Sequence, residues 1–236
     1  MKTLQVMAFA ACMAAAAYAI PVNSNRVSNT GTSGAGCIGT VTLTAGCTVA
    51  ANGTVGDPNY TLTAVPSGST ATVALRTQFP AGGEFGIWVP QNNTSSWISP
   101  NNANPGQNNP AGFYTYTQTF RLGAISPAYY AMGRWSSDND GTLLLNGTQF
   151  SSIGQNGFDN WTPFTVGSGF QVGVNTLTFV VQNRNRPSDG NPTPTGLRVE
   201  FSSVFLPEAH ELTVLSLMLG GLTLWGLKRR KLSLEA

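Results

Sequence analysis

The sequence predicts an all-β fold: a two-sheet antiparallel β-sandwich of jelly-roll-like topology, flanked by an N-terminal signal-peptide helix and a C-terminal transmembrane helix. Apolar residues alternate with Thr and other polar residues in several short runs, which is the pattern of strands with one buried face. Gly, Asn, Thr and Ser fill the intervals between these runs, as expected where short strands are joined by many turns. Between the two termini the sequence shows no helical period, which disfavours a helical domain.

Residues 1–19 have the organisation of a secretory signal peptide. The short basic leader Met1-Lys2-Thr3 precedes an apolar run rich in Ala. Ala17-Tyr18-Ala19 then supplies the small residues of a cleavage site, so that Ile20 becomes the first residue of the mature chain. We therefore expect an exported protein in which residues 20–206 form a single ectodomain, a length sufficient for one all-β domain with a sizeable core.

Strands are predicted wherever apolar and polar residues alternate. Short alternating runs surround three pairs of apolar residues: Val41 and Leu43, Tyr60 and Leu62, and Val73 and Leu75. Three longer runs place on one face Tyr114, Tyr116, Phe120 and Leu122, then Leu177, Phe179 and Val181, and finally Leu197, Val199 and Phe201. In the last run Arg198 and Glu200 occupy the opposite face, and we expect Glu200 to point outward.

Two dipeptides, Asp140-Gly141 and Asn146-Gly147, indicate tight hairpin turns around residues 142–145, because Asx-Gly pairs adopt the positive φ that such turns require. The segment from Pro90 to Gly112 is rich in Asn, Pro, Ser and Gly. It is predicted to be a long loop, the kind of element in which binding residues are often found.

Cys37 and Cys47 are the two cysteines that remain once the signal peptide is removed. In an oxidising compartment they are expected to form a disulfide that closes a small loop over residues 38–46. Two buried free thiols are the alternative interpretation. A metal site receives little support, because the only histidine, His210, lies beside the apolar run of the C-terminal tail.

The charges of the ectodomain are few and balanced. Residues 20–206 contain seven Arg, seven Asp or Glu, and no Lys, so the formal net charge of +2 comes from the two ends of the chain. No basic stretch is left that could neutralise a phosphate backbone. Nucleic acid is therefore argued against as a partner.

Residues 207–236 contain three consecutive parts that predict a membrane-sorting tail. Pro207-Glu208 comes first, an uncharged apolar run follows over residues 212–227, and the basic cluster comes last, as Lys228, Arg229, Arg230 and Lys231. A helix over this run rises about 24 Å, slightly less than the ~30 Å hydrocarbon core, and snorkelling of the basic side chains covers the difference. The positive-inside rule keeps the basic cluster cytoplasmic and the ectodomain outside. A buried helix of the globular domain is the alternative.

This order of a Pro-Glu pair, an apolar helix and a basic end, on a chain with a signal peptide, resembles the PEP-CTERM sorting signal of bacterial exosortase substrates. The third position is Ala209, where that family usually has proline. The resemblance implies recognition by exosortase, a transpeptidase-like enzyme of the inner membrane, followed by cleavage near Pro207. The ectodomain would then reach the cell surface or the extracellular matrix, with the inner membrane as a transient partner, or a permanent one if the tail stays.

The ectodomain carries a second resemblance. Several motifs recur in this order in secreted bacterial PEP-CTERM proteins, among them Asp57-Pro-Asn-Tyr-Thr-Leu62, Trp97-Ile-Ser-Pro100, Gly133-Arg-Trp-Ser-Ser-Asp-Asn139, Leu145-Asn-Gly147, Gly173-Val-Asn-Thr-Leu177 and Pro194-Thr-Gly-Leu-Arg-Val-Glu200. Those ectodomains look like galactose-binding, carbohydrate-module-like β-sandwiches. The match covers most of residues 25–203 and implies one such domain, without bringing any catalytic residue or cofactor with it.

The residues themselves argue against an enzyme. Glycoside hydrolysis needs two carboxyl groups roughly 5–10 Å apart across a cleft. Here Asp57 precedes a proline at a strand start, Asp140 belongs to an Asp-Gly turn, and Glu200 points outward beside an arginine, so all three look structural. The ectodomain has no histidine for a Ser-His-Asp or Cys-His arrangement. A secreted carbohydrate-active hydrolase is kept as the alternative from another functional class.

Glycan binding is an activity for which the sequence offers candidate residues. Sugar sites pair an aromatic platform with a few amide or carboxylate hydrogen-bonding groups. Trp97, in the predicted long loop, is expected to be at least partly exposed, with Asn92 and Asn93 as its polar partners. Trp135 and Trp161 are interpreted as packing residues, and further candidates are Trp88, Asp159, Asn160 and Asn183. Extracellular polysaccharide is the candidate ligand, and a purely structural matrix component is the remaining alternative.

Asp138-Asn139-Asp140 has two interpretations. Carboxylate and amide oxygens in such a cluster are ligands that Ca²⁺ prefers. The same triplet is explained without a metal by turn chemistry, because Asx side chains cap turns and tolerate left-handed backbone geometry. The turn is favoured. The EF-hand pattern itself is absent, because the sequence has no glutamate at the twelfth position of such a loop.

Overall fold

The computed structural model describes residues 27–49, 56–71, 74–77, 87–100 and 108–206. Their regular structure consists of ten strands, β1 Thr61–Ala64, β2 Leu75–Thr77, β3 Trp97–Ser99, β4 Gly112–Leu122, β5 Tyr130–Asp138, β6 Asp140–Leu145, β7 Thr148–Ile153, β8 Thr162–Val166, β9 Gly173–Asn183 and β10 Gly196–Phe205. None of the described residues forms a helix long and apolar enough to span a membrane. The predicted signal peptide and the whole sorting tail lie outside the described residues.

The strands form two five-stranded sheets. The first sheet has the order β1-β4-β9-β6-β7 and the second has the order β2-β3-β10-β5-β8. Every pair of neighbouring strands is antiparallel. The predicted all-β fold with two antiparallel sheets is thus confirmed.

The inner face of the first sheet follows the predicted alternation. Tyr114 and Tyr116 of β4 pair in register with Val181 and Phe179 of β9, and all four side chains are buried. Along both strands the intervening residues are less buried or exposed, as a period of two residues requires. β10 supplies the facing residues Leu197, Val199 and Phe201, so the three longest predicted strands are confirmed, and together they line the core.

Trp135 of β5 joins the two sheets at the centre of this core. Its ring centroid lies 5.7 Å from that of Phe179 on the first sheet. Its indole N–H donates a hydrogen bond of 3.0 Å to the hydroxyl of Ser151 on β7. The Trp135 ring lies against the backbone of Gly141, where an added Cβ would approach it to 2.7 Å. Trp135 is therefore a core residue, as predicted.

Only one of the two hairpin dipeptides forms a turn. Asn146 and Gly147 have φ values of 48° and 86° and connect β6 to β7, as predicted. Asp140-Gly141 instead lies within β6, so the second turn prediction is wrong. The chain passes from β5 in the second sheet to β6 in the first through Asn139 alone. Gly141 is thus required by the space that the Trp135 ring occupies and not by a turn.

The N-terminal segment, residues 27–49, is hydrogen-bonded to the backbone of β10. The amide of Thr30 donates to the carbonyl of Val199 at 3.1 Å, and the amide of Gly39 donates to that of Phe201 at 2.8 Å. The predicted disulfide between Cys37 and Cys47 is present, with their Cα atoms 5.6 Å apart. The predicted strand at residues 41–43 is wrong: Val41 is 89% exposed, because this part of the disulfide loop pairs with no sheet.

Gly141→Ala is expected to destabilise the fold by about 1–3 kcal/mol, because the added methyl group must displace the Trp135 ring in a close-packed core. Gly154→Ala is the matched control, since a Cβ at that position meets no atom within 4 Å. Urea denaturation of the two variants measures the difference. Equal midpoints would show that the indole does not pack on β6 as described.

Candidate functional site

The outer face of the second sheet carries a buried ion pair. Arg198 and Glu200 alternate with the core residues of β10 as predicted, yet both side chains are 0% exposed. The expectation that Glu200 points into solvent is therefore wrong. A second apolar cluster covers this face, formed by Trp88, Val89 and Trp97 with Phe158 and Trp161 packed against it.

Trp97 belongs to this covering cluster. It is the first residue of β3 rather than part of a long loop, and its side chain is 0% exposed. Its indole N–H donates to the carbonyl of Val89 at 3.0 Å, and its ring centroid lies 4.4 Å from that of Trp88. The predictions of a continuous loop over residues 90–112 and of an exposed Trp97 are both wrong, because β3 pairs with β10 and residues 88–89 pack on it.

Both oxygens of Glu200 are held by several donors. Oε1 accepts hydrogen bonds from Asn92 Nδ2 at 3.0 Å, Thr94 Oγ1 at 2.9 Å and Ser95 Oγ at 2.7 Å. Oε2 accepts two from Arg134, at 2.8 Å from Nε and 2.6 Å from Nη2. Burial raises the pKa of Glu200, but these donors and the charge of Arg198 outweigh it, so that the pKa lies below its ordinary value.

Arg198 is satisfied in the same way. Its Nε donates to Ser95 Oγ at 2.7 Å, and its Nη1 donates to the carbonyl of Val89 at 3.1 Å and to that of Pro90. Its Nη2 lies 3.3 Å from Oε1 of Glu200. Burial lowers the pKa of Arg198 to about 10, which still leaves the guanidinium charged at neutral pH. Two cations, Arg134 and Arg198, thus share one carboxylate.

Trp161 lies against both guanidinium groups and is half-buried. The central carbons of Arg134 and Arg198 are 4.4 Å and 4.9 Å from its ring centroid, a cation–π arrangement. Its neighbours Asp159 and Asn160 are exposed. We call Trp161, Arg134, Arg198, Glu200 and Asn92 the Trp161 cluster.

The Trp161 cluster brings together some of the predicted binding residues and separates others. Asn92 and Asn93 are exposed as a site would need, and Asn92 is tied to Glu200. Trp88, at 6% exposure, and Trp97 are buried, and Asn183 is buried while donating to the carbonyls of Asn109 and Thr193. Among the predicted aromatic candidates it is Trp161, interpreted as packing, that combines partial exposure with adjacent polar groups.

Sequence reasoning missed the importance of Arg134, Arg198 and Glu200. The available signal was the spacing of Arg198 and Glu200 at i and i+2 of a strand, which places two opposite charges on one face. Arg134 pairs with Glu200 across the strands. That pairing depends on register, which the sequence pattern does not provide.

The Asp138-Asn139-Asp140 triplet does not converge on one point. Asn139 Oδ1 accepts a hydrogen bond of 2.7 Å from the amide of Arg184, and Asp140 forms an ion pair with the side chain of the same arginine. Asp138 is buried, its Oδ1 has no hydrogen-bond partner, and burial raises its pKa well above the ordinary 3.8. In the described ranges no three His, Cys, Asp or Glu residues are grouped as metal ligands.

The sequence matches no protein-family model, and no curated protein resembles it at a significant level. Among solved structures it is similar to a family 35 carbohydrate binding module from an environmental isolate, with 17% sequence identity and a TM-score of 0.24. The similarity covers 42% of this chain and 74% of that module. Because this TM-score is so low, the fold is assigned from the strand pairing and the core alone.

Asp138→Asn is expected to change how stability depends on pH. Because burial raises the pKa of Asp138 in the folded state, the folded protein binds more protons than the unfolded chain above pH 3.8, the ordinary pKa. Its contribution to stability is complete below that value and is lost as the pH rises towards the folded pKa. The Asn side chain cannot ionise, so the variant should lose this decline and melt at a higher temperature at neutral pH.

Melting temperatures measured from acidic to neutral pH test this expectation. Glu200 provides an internal control, because its pKa is shifted in the opposite direction. Its contribution to stability is lost as the pH falls below the ordinary pKa of 4.5. The loss of stability at acidic pH should therefore persist in Asp138→Asn. An unchanged decline towards neutral pH would show that Asp138 is not the group responsible.

Proposed function

We propose that the protein is an exported, non-enzymatic component of the cell surface or extracellular matrix that binds glycan at the Trp161 cluster. It reaches the surface through an exosortase-type sorting signal, in which Pro207-Glu208 is the recognition pair and residues 212–227 form the membrane helix. The signal-peptide pattern of residues 1–19 and the succession of motifs over residues 207–231 support export and sorting. The disulfide between Cys37 and Cys47 fits this route, because such bonds persist in oxidising compartments.

Glycan binding is supported chiefly by the partial exposure of Trp161 above a fixed polar base. A sugar ring packs its C–H groups against the face of an aromatic ring, while neighbouring amides and charged groups orient its hydroxyls. Arg134, with 34% of its side chain exposed, and the exposed residues Asn92 and Asn160 carry such groups. Because hydrogen bonds to Glu200 fix Arg134 and Asn92 before any ligand arrives, little conformational entropy would be lost on binding.

The alternative of a carbohydrate-active hydrolase is not favoured by the positions of the carboxyl groups. A glycosidase needs two of them facing one substrate bond. Glu200 is fully buried with both oxygens occupied, and Asp138 is buried elsewhere, at the end of β5. Using Glu200 on a substrate would leave the charge of buried Arg198 without its carboxylate, at a cost of about 3–5 kcal/mol. We therefore assign no catalytic residue.

Trp161→Ala is expected to weaken glycan binding by a few-fold up to about tenfold, because one aromatic contact with a ligand contributes about 0.5–1.5 kcal/mol. A glycan array with the exported mature protein identifies the ligand, and titration calorimetry then compares the variant with the native protein. The variant should remain folded, since it loses a half-buried ring and two cation–π contacts of about 0.5–2 kcal/mol each.

Two matched variants separate binding from stability. Phe113→Ala removes an aromatic ring that is 58% exposed on the first sheet and should leave glycan affinity unchanged. Trp97→Ala removes a fully buried ring and should lower the free energy of unfolding by about 3–5 kcal/mol. Unchanged affinity in folded Trp161→Ala would refute the site. An array without any bound glycan would favour a purely structural matrix component.

The sorting signal makes a separate prediction: the mature surface protein should end near Pro207, because exosortase-type processing removes the membrane helix and the basic cluster. Mass spectrometry of the protein released from intact cells determines its C-terminus. If residues 212–236 are still attached, the tail is a permanent anchor and processing is ruled out. Replacing Lys228, Arg229, Arg230 and Lys231 by Gln should impair membrane orientation while leaving the ectodomain unaltered.

A further inference from the structure

One end of the β-sandwich is formed by the end of β4, the start of β5, the start of β9 and the end of β10. Leu122 of β4 pairs with Gly173 of β9 in the first sheet, and Tyr130 of β5 pairs with Phe205 of β10 in the second. The ring centroid of Phe170 lies 6.3 Å from that of Phe120 and 6.3 Å from that of Tyr129, so the two sheets meet here. The loops 123–129 and 167–172 cover this end.

Exposed hydrophobic side chains are concentrated at this end. Of the eight large hydrophobic residues that are exposed in the described ranges, five lie here, with 41–62% of their surface exposed: Ile125, Met132, Val172, Val174 and Phe205. The loops 123–129 and 167–172 contain no charged residue. Nearby on β4, Arg121 is exposed and positively charged. We call this region the apolar end.

The opposite end of the sandwich has a different character. There β9 leads into residues 184–195, which contain Arg184, Arg186 and Asp189, and Asp140 at the start of β6 pairs with the first of these arginines. One exposed apolar residue, Phe113 of β4, lies near this end, where it pairs with Gln182. In the described ranges the exposed apolar residues are therefore concentrated at the apolar end. Exposed apolar patches on a protein surface mark sites of interaction with proteins or membranes.

The chain also leaves the sandwich at the apolar end. β10 ends at Phe205, and the apolar run of the tail begins at Leu212. Six residues beyond Leu206 span at most about 20–22 Å when fully extended. An inserted helix over residues 212–227 would consequently hold the apolar end within that distance of the bilayer. The opposite end lies a further ~30 Å away along the ten residues of β10.

We propose that, in the membrane-tethered form, the apolar end lies on the outer surface of the bilayer and inserts Ile125, Val172 and Phe205 into the interface. Insertion at this depth removes apolar surface from water without carrying buried charge into lipid. Arg121 offers a cation to a lipid phosphate, and loops 123–129 and 167–172 contain no acidic residue, whereas Glu208 and Glu211 belong to the connecting segment 207–211. This inference rests on the proposed membrane insertion of residues 212–227.

The test uses residues 20–236, the chain that remains once the signal peptide is removed, reconstituted in vesicles of phosphatidylcholine and phosphatidylglycerol that contain a nitroxide-labelled lipid. An environment-sensitive fluorophore is attached at one added cysteine in each of three variants. Val172→Cys reports on the apolar end, Ser188→Cys on the opposite end, and Ser216→Cys on the tail. Cys37 and Cys47 are not labelled, because they form the disulfide.

We expect the lipid-borne nitroxide to quench the probes at positions 172 and 216 and not the probe at position 188. Quenching at 216 alone would overturn the docking proposal and leave the membrane tail intact. A blue shift at 172 without quenching would mean that another part of this chain or a second copy covers the patch, which also overturns it. Absence of quenching at 216 would refute the membrane helix and, with it, the docking.

Ile125→Asp provides a second variant. The residue is exposed, so the substitution should leave the melting temperature unchanged, while a carboxylate facing anionic headgroups should greatly reduce quenching at position 172. Quenching at 216 should stay the same. Undiminished quenching at 172 would show that the tether alone, and not the apolar end, holds that probe near the lipid.

Discussion

The buried pair of Arg198 and Glu200 is the constraint on which the candidate site depends. Removing two charges from water costs several kcal/mol for each ion, and the fold can bear this only if every donor and acceptor finds a partner. Residues 89–95 supply carbonyls, hydroxyls and an amide to the pair, and Arg134 supplies a second guanidinium from the neighbouring strand. The segment before β3 is therefore held on the outer face of the second sheet by electrostatics as much as by its apolar residues. Trp161 then covers the two guanidinium groups and packs against the apolar cluster of Trp88, Val89 and Trp97.

The alternation of apolar and polar residues allowed the strands and the core to be predicted where a sheet has one buried and one solvated face. β4 and β9 satisfy that condition, and their inner residues agree with the prediction. β10 has the buried inner face but lacks the solvated outer face, because a layer formed by residues 88–97 and 158–161 covers its outer face. A periodic pattern tells which residues share a face but not what lies against that face. For the same reason Trp97, which has no alternating apolar neighbours, was expected in solvent although it is wholly buried.

Turn and edge features show a similar limit. Asn146-Gly147 forms its hairpin because both flanking strands belong to one sheet, whereas Asp140-Gly141 follows the point where the chain changes sheets, and there glycine serves packing. The alternation at residues 41–43 predicted a strand, but a strand needs a partner edge, and the edge of β10 is already bonded to Thr30 and Gly39. The disulfide was predictable, since it needs only two cysteines and an oxidising compartment. The site depended on register and on tertiary covering, which pattern alone does not supply.

Strand β8 connects Trp161 to the apolar end. β8 runs from Thr162, paired with Trp135, to Val166, paired with Ala131, and then enters the loop 167–172 at the apolar end. Trp161 precedes this strand and is thus separated from that loop by five residues of extended chain, about 17 Å. A protein tethered through its last strand would therefore hold the Trp161 cluster away from the bilayer, where a polysaccharide of the surface layer could reach it. The same geometry suits a released ectodomain, because every contact described above for the cluster is made by residues that precede residue 206.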